Sequence, residues 1–408
     1  MTPRRIVLAA WIVFVLFGYP GFMRADAVDM LVDSRVGEIT DWHSPMFTEV
    51  WRVLGRVVSG PAPMFLLQGT LLLLGAYSLL CRVTTEKRAA IGAAIVTLFP
   101  PLISTTALVS EDGLLASTLV AGTALLLAER KISGVLCLVI ACGLQEGSAI
   151  AALPLILVAS RSKWRAVLAW FACAVVGIAA SHILVGEPSH RRQVALAEDD
   201  IVGTIANAPA LDDAKLHEQL AGIALTWETK LQDHARHAYQ HADDKFFAAS
   251  VDEAKVRAAR RALSRAYPMA YAKHRFHDFV RVLDLSRGKG WRTFYGDFIA
   301  KGLRASAVHD AHHSLVQRAL IWPVKALSRT FLFRPFVYFF LALSALGFAI
   351  VKKKPLAAMI LISGVIYELG LGIVASAPDY HDSHWMMTAT VIALLALLLE
   401  PRHERVGQ

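Results

Sequence analysis

Cysteine is scarce here and badly placed for a disulfide framework. Only four occur, Cys81, Cys137, Cys142 and Cys173. All lie inside apolar blocks and none forms a CxxC pair, so small buried hydrophobes is the reading they support. Charge is thin as well. Asp, Glu, Lys and Arg make up 18% of 408 residues, where a soluble domain carries about one quarter. With a mean hydropathy of +0.47, that excludes an ordinary soluble protein. No Walker, GxSxG or HExxH motif is present. Basic segments interleaved with stacking aromatics are missing too, so nucleic acid is not expected as a partner. The formal charge of +9 sits largely in short loops beside apolar blocks.

What is present is a series of apolar blocks about 15–22 residues long, the length that crosses a bilayer's hydrocarbon core. The expected class is an all-α polytopic membrane protein with about ten transmembrane helices. The expected spans are Ile6–Gly18, Ala62–Cys81, Ala89–Val109 (interrupted by Pro100-Pro101), Gly113–Ala128, the short pair Ile132–Leu144 and Ser148–Ala159, Ala166–Gly186, Phe331–Val351, Pro355–Ala375 and His384–Leu399. For the first, a cleavable signal peptide is the alternative, since Ala25-Asp26-Ala27 resembles a cleavage site. Residues 187–330 are too charged for lipid and too rich in Ala and Leu for a linker; helices are expected around 212–240, 251–267 and 269–283. The domain reading is therefore an N-terminal membrane module (1–186) with a first external loop (19–61), a helical external, periplasmic domain (187–330) and a C-terminal membrane module (331–408).

Lys and Arg follow the second, fourth, sixth and eighth spans and mark both termini, while the turns after the third, fifth and ninth carry none. The positive-inside rule then puts both termini in the cytoplasm of a multi-pass plasma-membrane (bacterial inner-membrane) protein. The acidic first loop, Glu111-Asp112, Glu146, the long domain and 379–384 all face the other side.

Within the first loop, Val28, Leu31, Val32, Val36 and Ile39 recur at helical spacing, and Asp26, Asp29 and Asp33 fall on another face. Two readings stand: a solvated acidic face near a helix N-terminus, or a carboxylate site at the membrane surface. After Asp41-Trp42-His43, Ser44 suits an N-cap and Pro45 the first helical position. Phe47, Val50, Trp51, Leu54, Val57 and Val58 then form a stripe suited to the membrane interface. Ser110-Glu111-Asp112 reads either as the cap of the following span or as a second carboxylate site. Tyr271, Lys273, His274, Arg275 and Arg281 make a solvated helix face or an anion site, with Arg275 the preferred phosphate ligand because guanidinium binds phosphate bidentately. His381 and His384 with Asp379 and Asp382, and His309, His312 and His313 with Asp310, are weaker candidates for a metal.

The order of these pieces resembles the bacterial multi-spanning glycosyltransferase-like proteins of the GT-C fold, including relatives of the protein mannosyltransferases. The residues that carry the resemblance are Tyr19-Pro20-Gly21, Asp26, Asp41-Trp42-His43-Ser44-Pro45, Gly60-Pro61, Phe99-Pro100-Pro101 with Glu111-Asp112, Pro268 with Tyr271 and Arg275, and Asp379-Tyr380-His381. It covers about 19–159 and 267–399. Ser44, Glu111, Gln145-Glu146-Gly147 and His381 stand where such proteins often carry proline, lysine, Arg-x-Asn and arginine. The resemblance implies a polyprenyl-phosphate sugar donor, an acceptor that is a glycan, lipid or protein, and inverting transfer at the external leaflet. It implies Asp26 as base or metal-organising carboxylate and Asp112 as second carboxylate, with a divalent cation (Mg or Mn) between them as an option. Asp41, His43, Glu111, Tyr271 and Lys273 would shape the site, and Arg275 and His381 would hold phosphate. An O-antigen polymerase or ligase-like enzyme and a lipid-linked-sugar flippase are the competing readings; no internal repeat favours the latter.

The orientation is testable directly. A reporter fused at Lys353 is expected to read cytoplasmic and one at Asp213 external; a cytoplasmic signal at Asp213 overturns the map.

Overall fold

The computed structural model of the chain describes residues 1–145, 147–186, 191–240, 245–248, 252–285, 294, 296, 313–374 and 379–400. Among these, regular structure is helical throughout; β-pairing is limited to two isolated bridges. The expected all-α class holds. The chain divides into two compact units: residues 1–187, 287–369 and 379–408, and residues 188–286 with 370–378.

The first unit opens with α1 (Pro3–Gly18), α2 (Ala25–Val36), α3 (Pro45–Gly55), α4 (Ala62–Leu80), α5 (Glu86–Leu98), α6 (Pro100–Thr106), α7 (Glu111–Leu127), α8 (Lys131–Leu144), α9 (Ser148–Ala159) and α10 (Lys163–Leu184). Four helical stretches among the described residues are long and apolar enough to cross a bilayer: α4, α10, Pro355–Val374 and Tyr380–Leu399. The pair α5 and α6 makes a fifth if it is one span, bent by 67°. That bend has a local cause. Pro100 forces the preceding residue out of the helical region, and Phe99 sits at φ −61°, ψ 126°. Helices α8 and α9 have 14 and 12 residues. At 1.5 Å per residue each reaches only about 20 Å, short of the roughly 30 Å core, so ten spans remains a figure from the sequence alone. The exposed apolar faces are what lipid contact requires: α10 leaves Trp164, Phe171, Val175 and Ile183 uncovered.

Helix α7 is the buried centre. Asp112 through Ala124 are all buried, and α7 packs along α4 and α8. Helix α1 meets α4 closely: a Cβ at Gly69 would collide with the Phe14 ring, which stacks on Phe65 at 4.6 Å. The first loop is then stitched to the loop before α7. Phe22 N–H donates to Ala107 O and Val109 N–H to Phe22 O, both at 2.9 Å. Gly21, at φ +123°, passes between Val109 and Phe65 where a side chain would clash. From α4, the buried Gln68 amide donates to the carbonyls of Thr106 (2.6 Å) and Leu108 (2.7 Å). In the first loop itself, Val28 and Leu31 are buried while Val36 is exposed. The α3 stripe divides likewise: Phe47 and Trp51 are fully buried in protein and Val57 and Val58 face out.

The second unit contains α11 (Arg191–Asn207), α12 (Asp213–Gln219), α13 (Leu231–Gln240), α14 (Glu253–Ala266) and α15 (Pro268–Val282). The helix expected over 212–240 is two helices, and α11 was not expected at all, although Val194, Ala197, Ile201 and Ile205 are spaced for it and all are buried. Asp213 separates α12 from α13 by accepting from Leu231 N–H at 3.0 Å. A buried acid–base group joins α11 to α15. Arg275 and Arg260 both pair with Asp200. Burial and the neighbouring Asp278 charge push Asp199 up to about 7, and burial pushes Asp278 up to about 6.

Back in the first unit, the chain adds α16 (Leu315–Leu327), α17 (Pro335–Val351), α18 (Pro355–Val374, whose residues from 370 on belong to the second unit) and α19 (His384–Leu399). Ser314 and Gln317 form a capping box at the start of α16, and Gln317 also donates to Tyr19 O at 2.5 Å. A short 3-10 turn, Tyr380–Ser383, leads into α19, and α19 packs against α17 and α7.

Substituting Gln68→Ala would leave two buried carbonyls unsatisfied, at about 1–3 kcal/mol each. The expected outcome is a thermal unfolding midpoint several degrees lower for the detergent-solubilised protein; an unchanged midpoint would show that the amide does not clamp the loop.

Candidate functional site

Four separate pieces of the first unit meet around Asp112. The residue sits in the first turn of α7, whose N-cap is Ser110, with its Oγ accepting from Gly113 N–H at 3.1 Å. The capping reading of this turn is therefore correct for Ser110. Asp112 does something else. Its side chain is almost fully buried, and each oxygen has its own donor: Oδ2 lies 2.7 Å from His381 Nδ1, and Oδ1 accepts from the Gln145 amide at 2.9 Å. Gln145 in turn accepts from the Tyr367 hydroxyl at 2.7 Å. A buried carboxylate needs this many partners because its desolvation is otherwise uncompensated.

His381 is the hub. It stands on the turn before α19, where Asp379 and Asp382 form a capping box. Its Nε2 lies 3.5 Å from Asp379 Oδ2 and its Nδ1 3.3 Å from Asp382 Oδ1. The Arg24 guanidinium closes on His381 Nε2 and reaches Asp379 Oδ2 at 2.9 Å. If Nε2 accepts from Arg24, then Nδ1 carries the proton and donates to Asp112, a tautomer assigned from the network. Arg24 also lies 3.4 Å from Asp26 Oδ2. A continuous path of contacts thus runs Asp26, Arg24, His381, Asp112.

The two carboxylates expected to share a site are therefore linked, through a residue the sequence reading did not single out. They differ in setting: Asp26 is 54% exposed and Asp112 only 5%. Glu111 accepts from Ser44 N–H at 2.8 Å, which brings the turn after His43 to the start of α7. His43 Nε2 is buried without a hydrogen-bond partner, and Asp41 is half-buried in the same turn. Tyr271, Lys273 and Arg275 belong to α15 of the second unit. There Lys273 is exposed, and Arg275 is buried against Asp200 with its guanidinium 5.8 Å from the Tyr271 ring centre. Glu146, His309, Asp310 and His312 lie outside the described residues; His313 stacks edge-on to Phe22 at 6.1 Å.

Sequence reasoning missed three groups. Arg24 is the lone basic residue between Arg5 and Arg35, and a cation directly beside the Asp26, Asp29 and Asp33 series was a usable signal. Glu368 is wholly buried in α18, its Oε1 accepting from Ser383 at 2.7 Å; an acid inside an apolar span marks a site by default. Tyr367, beside it, carries no such signal. His384 is also wholly buried, 3.2 Å from Thr106 Oγ1.

Asp112, His381 and Asp382 each offer one donor atom, all within 4.8 Å of one another. Two carboxylates and an imidazole suit a divalent cation such as Mn, which would take the place of the Nδ1 proton between His381 and Asp112, and the partly exposed rim at Asp382 gives access.

No family model matches the chain, and no curated protein matches it. Among solved structures it is similar to the oligosaccharyltransferase of the archaeon Archaeoglobus fulgidus. The complex of that protein with Zn and sulfate matches at 12% identity and a TM-score of 0.37, covering 97% of this chain and 49% of that one. The complex with an inhibitory peptide and a dolichol-phosphate matches at 12% identity and 0.35, covering 97% and 50%. The chain spans about half the length of these structures.

A double-mutant cycle tests the central pair. His381→Ala would strand the buried Asp112 carboxylate at a cost of about 3–5 kcal/mol, whereas Asp112→Asn in the same background should restore most of the lost unfolding midpoint. Simple additivity would show that the two groups do not depend on each other.

Proposed function

We propose that this chain is an integral-membrane glycosyltransferase that moves a sugar from a polyprenyl-phosphate-linked donor to a glycan, lipid or protein acceptor. Transfer takes place at the external face of the plasma membrane, with both termini cytoplasmic. The observation that carries this reading is the Asp112–His381–Arg24 constellation: a buried carboxylate and a guanidinium brought together by the ends of apolar helices. The motif order resembling GT-C glycosyltransferases points the same way, and two of its residues, Asp112 and His381, belong to that constellation.

In this mechanism an acceptor hydroxyl attacks the anomeric carbon from the face opposite the lipid phosphate. The bond from that carbon to the phosphate oxygen breaks, the phosphate leaves with the electron pair, and the configuration inverts. Arg24 supplies positive charge and N–H donors to the departing phosphate, and such donors stabilise charge that develops in the transition state, while His381 holds the guanidinium in place by accepting from it through Nε2. Arg24 takes the role expected of Arg275, whose guanidinium is committed to Asp200. Asp26, half exposed beside Arg24, takes the acceptor proton as general base. Asp112 orients His381 through its Nδ1–H. Glu111 and His43 line the first-loop side of the same turn. A divalent cation, Mg or Mn, held by Asp112, His381 and Asp382 would replace that Nδ1 proton and neutralise charge on the leaving phosphate.

A second reading has one observation in its favour. Polymerase- and ligase-like enzymes that use lipid-linked sugars would lean on external arginines, and Arg24 is more buried in the constellation than Asp26 is. Single variants separate the two. Arg24→Gln and Asp112→Asn should each lower transfer by about two to three orders of magnitude and delete a sugar from surface glycans compared between intact and deletion strains. Asp26→Asn should do the same under the first reading. Wild-type glycan with Asp26→Asn at normal protein level removes Asp26 from the mechanism and favours the arginine-dependent reading. Wild-type glycan with Arg24→Gln overturns both.

A further inference from the structure

The second unit holds a group of ionisable side chains that the transfer reaction does not use. Asp199 and Asp200 come from α11, and His274 and Asp278 from successive turns of one face of α15. His274 and Asp278 are wholly buried. His274 Nε2 lies 3.3 Å from Asp278 Oδ2 and 3.6 Å from Asp199 Oδ2. Neither that nitrogen nor either oxygen of Asp278 makes a hydrogen bond. Polar atoms so deeply buried and left without hydrogen bonds are rare in folded proteins.

The spacing itself is informative. Zn²⁺ bonds of about 2.0–2.2 Å at tetrahedral angles place neighbouring donor atoms roughly 3.3–3.6 Å apart, the separations found between His274 and the carboxylates of Asp278 and Asp199; Asp200 Oδ1 lies 3.5 Å from the same nitrogen. The His274, Asp278 and Asp199 donors all lie within 4.8 Å of one another. Asp200 pairs with Arg275 and Arg260; Asp278 lies farther from its arginines, 3.5 Å from Arg275 and 3.8 Å from Arg281, and Asp199 adds another carboxylate beside His274. The histidine is also held as a metal ligand would be. Its Nδ1 is 3.3 Å from the Tyr239 hydroxyl of α13, which orients Nε2 toward the acids. Its ring fills a notch that exists only because α11 has Gly203 there; any Cβ would strike the imidazole. Asp199 is a quarter exposed and gives an ion a way in.

We propose that Asp199, His274 and Asp278 form a structural site for a divalent transition metal, zinc being the best fit, that fastens α11 to α15. Imidazole nitrogen and carboxylate oxygen are both zinc donors, and a water would complete the tetrahedron. The site is separate from the Asp112 constellation and does not depend on the proposed transfer reaction. The competing arrangement is a proton shared among the same groups, with no ion.

The test uses the full-length protein in detergent, carrying Asp112→Asn so that the first unit's donors are disabled. After chelation and dialysis, Zn²⁺ or Co²⁺ is added and bound metal is measured per chain. One bound ion is expected, with the intense visible absorption of low-coordinate Co²⁺. Adding Asp199→Asn or His274→Gln should abolish binding, and Tyr239→Phe should weaken it by about tenfold or more. Zn²⁺ should raise the thermal midpoint of the parent and leave that of Asp199→Asn unmoved. Asp199 lies at the rim, so that variant keeps the test readable if His274→Gln fails to fold. A folded parent that binds no metal, or equal binding by parent and Asp199→Asn, overturns the proposal.

Discussion

A carboxylate buried at the start of an apolar helix must be surrounded by donors, and that requirement organises the first unit. Asp112 cannot reach water, so it draws Gln145 from the end of α8 and His381 from the turn before α19. Each partner recruits another: Gln145 engages Tyr367, and His381 engages Arg24. Except for Asp112 and Gln145, 33 residues apart, the paired segments lie more than 200 residues apart in sequence. Apolar packing brings the helices together, but it is non-directional. The hydrogen bonds around Asp112 fix which loop faces which.

The first loop is secured at both ends by the segment leading into α7. Near its start, Phe22 pairs with Leu108; near its end, Ser44 N–H reaches Glu111. Gln68 holds the carbonyls of Thr106 and Leu108 at the first of these contacts. Arg24 and the turn bearing His43 are therefore delivered to α7 by contacts of the loop backbone, and the Arg24 side chain goes on to engage His381, Asp379 and Asp26. A loop anchored by its backbone is the economical way to present charge at a membrane surface, where lipid-facing backbone must already be satisfied.

The second unit solves a related problem differently. Its hydrophobic core, from Val194 through Leu263, surrounds more acids than the adjacent arginines satisfy with hydrogen bonds. Asp200 is closed off by two arginines, while Asp278 and His274 face one another across a glycine-made notch. Buried ion pairs contribute little net stability unless every lone pair is used; a cation at the notch would use those that remain.

Apolar blocks, the break at Pro100-Pro101 and the cap at Ser110 were all legible in the sequence, because length, proline and capping act over a few neighbouring residues. So was the helical class, and α19 begins and ends where the apolar pattern does. Asp112 and His381 could be named as candidates for the same reason: a carboxylate in a tight turn and a histidine before a span are local anomalies. Arg24 as their partner, Arg275 turned inward against Asp200, and the donors that neutralise Asp112 could not be read from the chain. Those depend on which distant segments share a dielectric environment, and only the packed helices decide that.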